Sequence, residues 1–181
     1  MKDTSILGRF EKIFRAEGKN CSLEQASDSF PLPQLLVDLG QDKQNRPRVL
    51  AITFQEQFFQ AILESQKLQA ESRYVSIQFD MVFPFEMSVQ TSREVACVLL
   101  FINRLIDLPG FGMSETDNQI YYRYVLLAQE KAIDKPLLLG IVGTIMLAMD
   151  LFGELIEHAA SGKMTFNQLL EKIIASSESI E

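Results

Sequence analysis

The sequence predicts an α+β fold: an antiparallel five-stranded sheet with helices packed on it, in the order helix-strand-strand-strand-helix-strand-strand-helix-helix. Three observations predict it. Two stretches read as hairpins, each a pair of apolar runs around a polar turn. One long segment alternates apolar and polar residues with period two. The helical patterns fall between runs of strands and not after each strand, so no doubly wound nucleotide-binding sheet is expected.

The first helix is expected over residues 5–17. Ile6, Phe10, Ile13 and Phe14 make one apolar stripe, Glu11, Lys12, Arg15 and Glu17 lie opposite, and Gly18 is the stop. The stretch from Lys19 to Phe30 is polar and reads as loop. Leu35 to Leu39 and Arg48 to Phe54 are the first hairpin, joined by the turn Gln41 to Pro47. On the returning strand Leu50, Ile52 and Phe54 point one way and Val49, Ala51 and Thr53 the other. Phe58 to Ser72 reads either as a short helix or as a frayed connection.

Tyr74 to Phe83 carries the cleanest alternation. Val75, Ile77, Phe79, Met81 and Phe83 line one face, and Ser76, Gln78 and Asp80 the other. Pro84 either ends the alternation or marks an edge strand. Thr91 to Leu108 reads as a helix opened by the capping box Thr91-Ser92-Arg93-Glu94 and stopped by Pro109-Gly110. Val95 to Ile102 is apolar throughout. Such a helix needs cover on two sides, and the second cover is either another subunit or the chain's own last helix.

Phe111 to Ala128 is the second hairpin, turning at Thr116-Asp117-Asn118-Gln119. Asp134 caps a long helix with Pro136 in its first turn, running to about Ala160 and stopping near Gly162. Its uncharged stretch from Leu137 to Met149 reads as a buried helix, too short to span a bilayer. Gly140, Thr144 and Ala148 recur every four residues and allow a neighbour to approach closely. Thr165-Phe166-Asn167-Gln168 is a second capping box, opening a last helix with Leu169, Leu170, Ile173 and Ile174. Residues 1–162 are thus expected as a single α+β domain, and 163–181 as an appended helix with a loose tail.

Composition narrows the function. The 181 residues are 47% hydrophobic, with 13 Phe and no Trp, enough apolar area for an unstapled core. Net charge is −7, and no basic run is present to displace phosphate counterions, so nucleic acid is not an expected partner. The two cysteines, Cys21 and Cys97, form no CxxC pair, which suits a reducing, cytoplasmic compartment. No secretory leader or membrane span is expected.

Residues for chemistry are sparse. The one histidine, His158, lies near a helix end, where a cation is mildly favoured. Pro109-Gly110-Phe111-Gly112 follows a helix and precedes a strand, the reverse of a phosphate loop. Asp80 and Glu86 flank a strand, and Glu154 and Glu157 share a helix face, which reads as a solvated surface. Tyr121, Tyr122 and Tyr124 lie on a strand with no basic flanks, which suits packing or protein contact over base stacking. No cofactor, metal or catalytic residue is expected.

The element order resembles the type III secretion chaperone fold and the related YbjN family of bacterial regulators. The likeness to the latter runs from Phe79 to Glu157. It rests on Phe101-Ile102-Asn103-Arg104-Leu105 ending the apolar helix, the Gly110-Phe111-Gly112 link, the hairpin through Ile120-Tyr121-Tyr122-Arg123, and a long helix carrying Asp150. The resemblance implies a small, acidic, cytoplasmic homodimer that binds protein without catalysis, a secreted effector in the chaperone group. The C-terminal capping-box helix goes beyond that pattern.

The leading expectation is a non-catalytic binding module that holds a partner polypeptide on exposed apolar surface. Phe10, Phe14, Phe54, Phe58 and Phe59 are the candidate partner-binding residues. Cys97, Leu100, Phe101 and Arg104 are the candidate dimer interface. A YbjN-like regulatory domain acting through a partner or ligand is the alternative. A small-molecule enzyme comes last.

Overall fold

The computed structural model describes residues 6–27, 31–55, 74–108 and 110–178. Their elements are α1 (Ile6–Ala16), β1 (Cys21–Glu24), β2 (Gln34–Gln41), β3 (Pro47–Gln55), β4 (Tyr74–Glu86), α2 (Ser92–Leu105), β5 (Phe111–Ser114), β6 (Gln119–Gln129), a short 3-10 turn (Glu130–Ala132), α3 (Lys135–Ala160) and α4 (Phe166–Glu178). The class is α+β. The sheet has six strands, in the order β1-β2-β3-β4-β6-β5. The expected count of five is corrected by β1, which lies in the stretch read as loop.

That strand has a weak signal of its own. Cys21 and Leu23 are half-buried and Ser22 and Glu24 exposed, an alternation only four residues long. Its backbone bonds come from β2, with Cys21 opposite Val37 and Glu24 opposite Gln34. A neighbour's free edge supplies what intrinsic preference does not.

The hairpin of β2 and β3 turns where expected. Asp42 accepts hydrogen bonds from the amides of Gln44 (2.8 Å) and Arg46 (2.9 Å) and from Arg46 Nε (2.7 Å). The register slips between Asp38 and Gln41, and Gly40 stands there at φ +87°, a bulge conformation that side chains rarely adopt. β4 pairs antiparallel with β3, Leu50 opposite Met81 and Gln55 opposite Ser76. Between β4 and β6, contacts join Tyr74 to Gln129, Phe79 to Tyr124 and Asp80 to Arg123. The numbers rise on one strand as they fall on the other, the trend of an antiparallel pair. β4 is therefore interior, not an edge strand. The buried-exposed alternation ends at Pro84, as expected, but the strand runs on to Glu86.

Two compact units divide the chain. Unit 1 draws on Met1–Val82 and Arg123–Ile145, unit 2 on Phe83–Tyr122 and Met146–Glu181. In unit 1 the core is one face of the strands: Leu35, Val37, Leu50, Ile52, Val75, Ile77, Phe79 and Met81 are fully buried. Helix α1 contacts β1, β2 and β3 and buries Ile6, Leu7, Phe10 and Phe14. It closes at Gly18, φ +74°, where the amides of Gly18 and Lys19 donate to the Arg15 and Phe14 carbonyls, both at 3.0 Å. Arg9 ties the helix to the Glu130 and Ile133 carbonyls, and Lys135 pairs with Glu17. Asp134 Oδ1 accepts the Leu137 amide at 2.9 Å, so α3 starts on the expected cap.

In unit 2, Phe111 is the hub of an aromatic cluster with Phe83, Tyr122 and Phe152. Helix α2 buries Val95, Val98, Leu99 and Ile102. It ends at Leu105, short of the expected Leu108, and Ile106 is already extended. The chain is caught there by Asn103, which donates to the Phe111 carbonyl (2.8 Å) and accepts from the amides of Gly110 (3.2 Å) and Phe111 (3.0 Å). The Tyr122 hydroxyl donates to the Leu108 carbonyl.

The two capping boxes diverge. At α4, Gln168 Oε1 accepts the Thr165 amide (2.9 Å) and Thr165 Oγ1 accepts the Gln168 amide (3.3 Å), as expected. At α2 the box does not form: Thr91 makes no side-chain cap. Its hydroxyl lies 2.9 Å from the Ala160 carbonyl and 3.1 Å from that of Ser88, and Glu94 accepts the Phe166 amide at 2.7 Å. Better partners brought close by folding have outcompeted the local ones.

Helix α3 departs from the buried reading. It has 26 residues and is long and apolar enough to cross a membrane by length and composition, but 33% of its most apolar window is buried. Leu147 and Leu151 are exposed, and among the described residues no neighbour lies within 4 Å of a Cβ built at Gly140, while Ala148 at the other end of the small-residue stripe is buried.

Candidate protein-binding surfaces

The residues assigned from sequence to partner binding scatter. Phe10 and Phe14 are 0% and 1% exposed, so they are core and not binding surface. The correction has a simple cause: the stripe that makes α1 amphipathic is the stripe it spends on the strands. Phe54 is half-buried on β3. Phe58 and Phe59, with the whole of Phe58 to Ser72, lie outside the described residues.

The four positions on α2 also separate. Leu100 is 71% exposed and Arg104 is exposed, while Cys97 and Phe101 are half-buried. The Phe101 ring meets the edge of Phe166 at 5.9 Å. At that point the chain's own last helix supplies the second cover, one of the two possibilities the sequence left open.

Another surface carries more exposed aliphatic area, and it lies wholly within unit 1. Residues alternating with the buried ones point to the sheet's other face. The register aligns Leu36, Ala51 and Asp80 in one row across β2, β3 and β4, and Arg123 of β6 extends it. Arg123 Nε sits 2.6 Å from Asp80 Oδ1, and Gln78 Nε2 donates to Asp80 Oδ2 at 2.6 Å. Both carboxylate oxygens are therefore engaged, and the centre of the face is locally neutral. Around it stand Val49 and Val82 (each 43% exposed), Val125 (46%) and Leu127 (58%). Isolated exposed aliphatics are ordinary, but several on one sheet face suit contact with another polypeptide. The ion pair itself lies at the surface, with Arg123 exposed and Asp80 half-buried, and contributes about 1 kcal/mol.

The alternation is legible in the sequence, but the exposed positions on this face are aliphatic and not the phenylalanines. The available signal was aliphatic residues on the polar-facing positions of strands: Val49, Val125 and Leu127 where charge would be expected.

The remaining candidates for chemistry are placed as follows. Among the described residues no group of three or more His, Cys, Asp or Glu could hold a metal ion. His158 is half-buried near the end of α3, and its carbonyl accepts the amides of Lys163 and Met164. Tyr121 lies against Gly112, where an added Cβ would meet its ring at 2.8 Å. Burial raises the Cys21 thiol above its ordinary value, with Arg15 lowering and Glu11 raising it, which disfavours the reactive thiolate. A surface depression is lined by Lys163, Met164, Gln168, Glu171 and Lys172. No protein-family model, curated protein or solved structure matches the chain.

Proposed function

We propose that the protein is a non-catalytic, cytoplasmic protein-binding module that holds a partner polypeptide on the open face of its sheet, in the manner of a secretion chaperone. The observation that carries this reading is the set of exposed aliphatic side chains around the neutral Asp80–Arg123 pair: Val49, Val82, Val125 and Leu127. Their removal from water on contact favours binding by about 25 cal/mol per Å² of apolar area before ordering costs. A net charge of −7 supports a protein partner over nucleic acid. The same reading includes a homodimer, with exposed Leu100 and Arg104 at the subunit contact.

A photo-crosslinking amino acid at position 127 tests the first claim in cells, with position 12 on the exposed side of α1 as control. The expected result is one discrete protein adduct at 127, absent at 12 and lost when Val125 is changed to Asp. No adduct at any growth stage overturns it. Light scattering on the purified chain tests the dimer, and a monomer at high micromolar concentration removes it.

A further inference from the structure

We infer that the outward face of α3 is a self-association surface: it takes the same helix of a second copy of this chain, packed antiparallel about Thr144. This goes beyond the protein-binding reading above and uses neither the open sheet face nor the α2 contact.

The face is one seam of a single uninterrupted helix. Leu137, Gly140, Thr144, Leu147 and Leu151 are all exposed, at spacings of three, four, three and four. That is the spacing by which one helix presents a continuous stripe to another. No charged residue occurs from Pro136 to Met149. Leu147 and Leu151 are 59% and 63% exposed. A helix side that faces water ordinarily carries charge, so an uncharged seam about four turns long suits a partner helix.

The seam complements itself, as a two-fold contact requires of any patch that meets its own copy. Centred on Thr144, two antiparallel helices set Leu137 of each copy against Leu151 of the other, and Leu147 against Gly140. No neighbour among the described residues lies within 4 Å of a Cβ built at Gly140, so the glycine is a hole for that leucine. The Thr144 hydroxyl donates to the Gly140 carbonyl of its own helix at 3.0 Å and brings no unpaired donor to the contact. Charge fixes the direction. Asp150 and Glu154 are exposed toward the C-terminal end, and Lys131 and Lys135 are exposed at the start, where the helix dipole is positive. Antiparallel packing lays the acidic end of each copy over the basic start of the other, and parallel packing would set acid against acid. Asp134, at that start, is committed to the Leu137 amide at 2.9 Å, and Lys135 also pairs with Glu17.

The test is disulfide trapping of the full chain under mild oxidation, with the unmodified chain as control for Cys21 and Cys97. Thr144→Cys should give a reducible dimer, and Lys12→Cys, also exposed but on α1, should not. Leu137→Cys alone should give none, because its two copies lie about 21 Å apart in the antiparallel pair at about 1.5 Å per residue. Mixed with Leu151→Cys it should link. Leu147→Arg added to the Thr144→Cys chain should cut the linked fraction about tenfold, since it seats a charge in the seam. These positions are all exposed, and circular dichroism checks that each variant is folded. No link at Thr144→Cys above the Lys12→Cys control, or self-linking of Leu137→Cys, overturns the inference. Flotation of the unmodified chain with neutral phosphatidylcholine vesicles, lost in Leu147→Arg, gives the face to lipid and also overturns it. A dimer in light scattering that Leu100→Asp removes and Leu147→Arg leaves intact overturns this inference and leaves the α2 contact standing. The reverse pattern supports it and removes the α2 contact, and neither outcome bears on an adduct at position 127.

Discussion

Two polar residues hold turns that bring strands into place. Asn103 closes three hydrogen bonds with the backbone at Gly110 and Phe111. Alanine there strands partly buried amides and a carbonyl, so Asn103→Ala should lower stability by about 2 kcal/mol in urea titration. Its role was not legible in the sequence, because its partners lie seven and eight residues on, past the end of a helix. Asp42 was legible as part of a polar turn. Desolvation, the largest single influence, raises its carboxyl, but the Arg46 amide and guanidinium and the Gln44 amide together outweigh it and hold the group below its ordinary value. A depressed folded value means stability that is present above the ordinary carboxylate range and lost as pH falls through the folded value. Asp42→Asn should therefore cost about 1 kcal/mol at pH 7, and the gap from the unmodified chain should close in acid, as followed by thermal melting across pH.

Among the elements, the same short pattern gave two outcomes. Thr165 and Gln168 cap each other. Thr91 and Glu94 are drawn to Ala160 and Phe166, more than sixty residues away in sequence. Thr165→Ala should cost α4 about 1 kcal/mol, speeding amide exchange there about fivefold with β4 unchanged. The helices and both hairpins were legible because their periods and turn residues are local; Asn45 and Asn118 take the left-handed turn conformation at φ 61° and 56°. β1 was not, because four residues carry too little pattern and their pairing belongs to β2. The length and apolarity of α3 were legible, but not that Leu147 and Leu151 would stay exposed.

At the scale of the whole molecule, the antiparallel α+β class was readable, and which aliphatic side chains stay exposed was not. Valine and leucine on the open sheet face contribute little to the core they turn away from. The double variant Val125→Asp/Leu127→Asp should melt within about 4 °C of the unmodified chain, since each surface change rarely exceeds about 0.5 kcal/mol. A fall as large as that of a core truncation, about 3 kcal/mol, would place these side chains in a buried contact instead.

The sequence by itself determined the local elements: the stripe of α1, the alternation of β4, the turns, and the Asp134 and Thr165 caps. Each depends on residues within a few positions of one another. Tertiary structure alone decided which apolar side chains remain outside. Phe10 and Phe14 went in, Val125 and Leu127 stayed out, and the Glu94 carboxylate, still on α2, accepts the first amide of α4. Burial is set by neighbours distant in the chain, and periodicity shows only that a face exists, not what covers it.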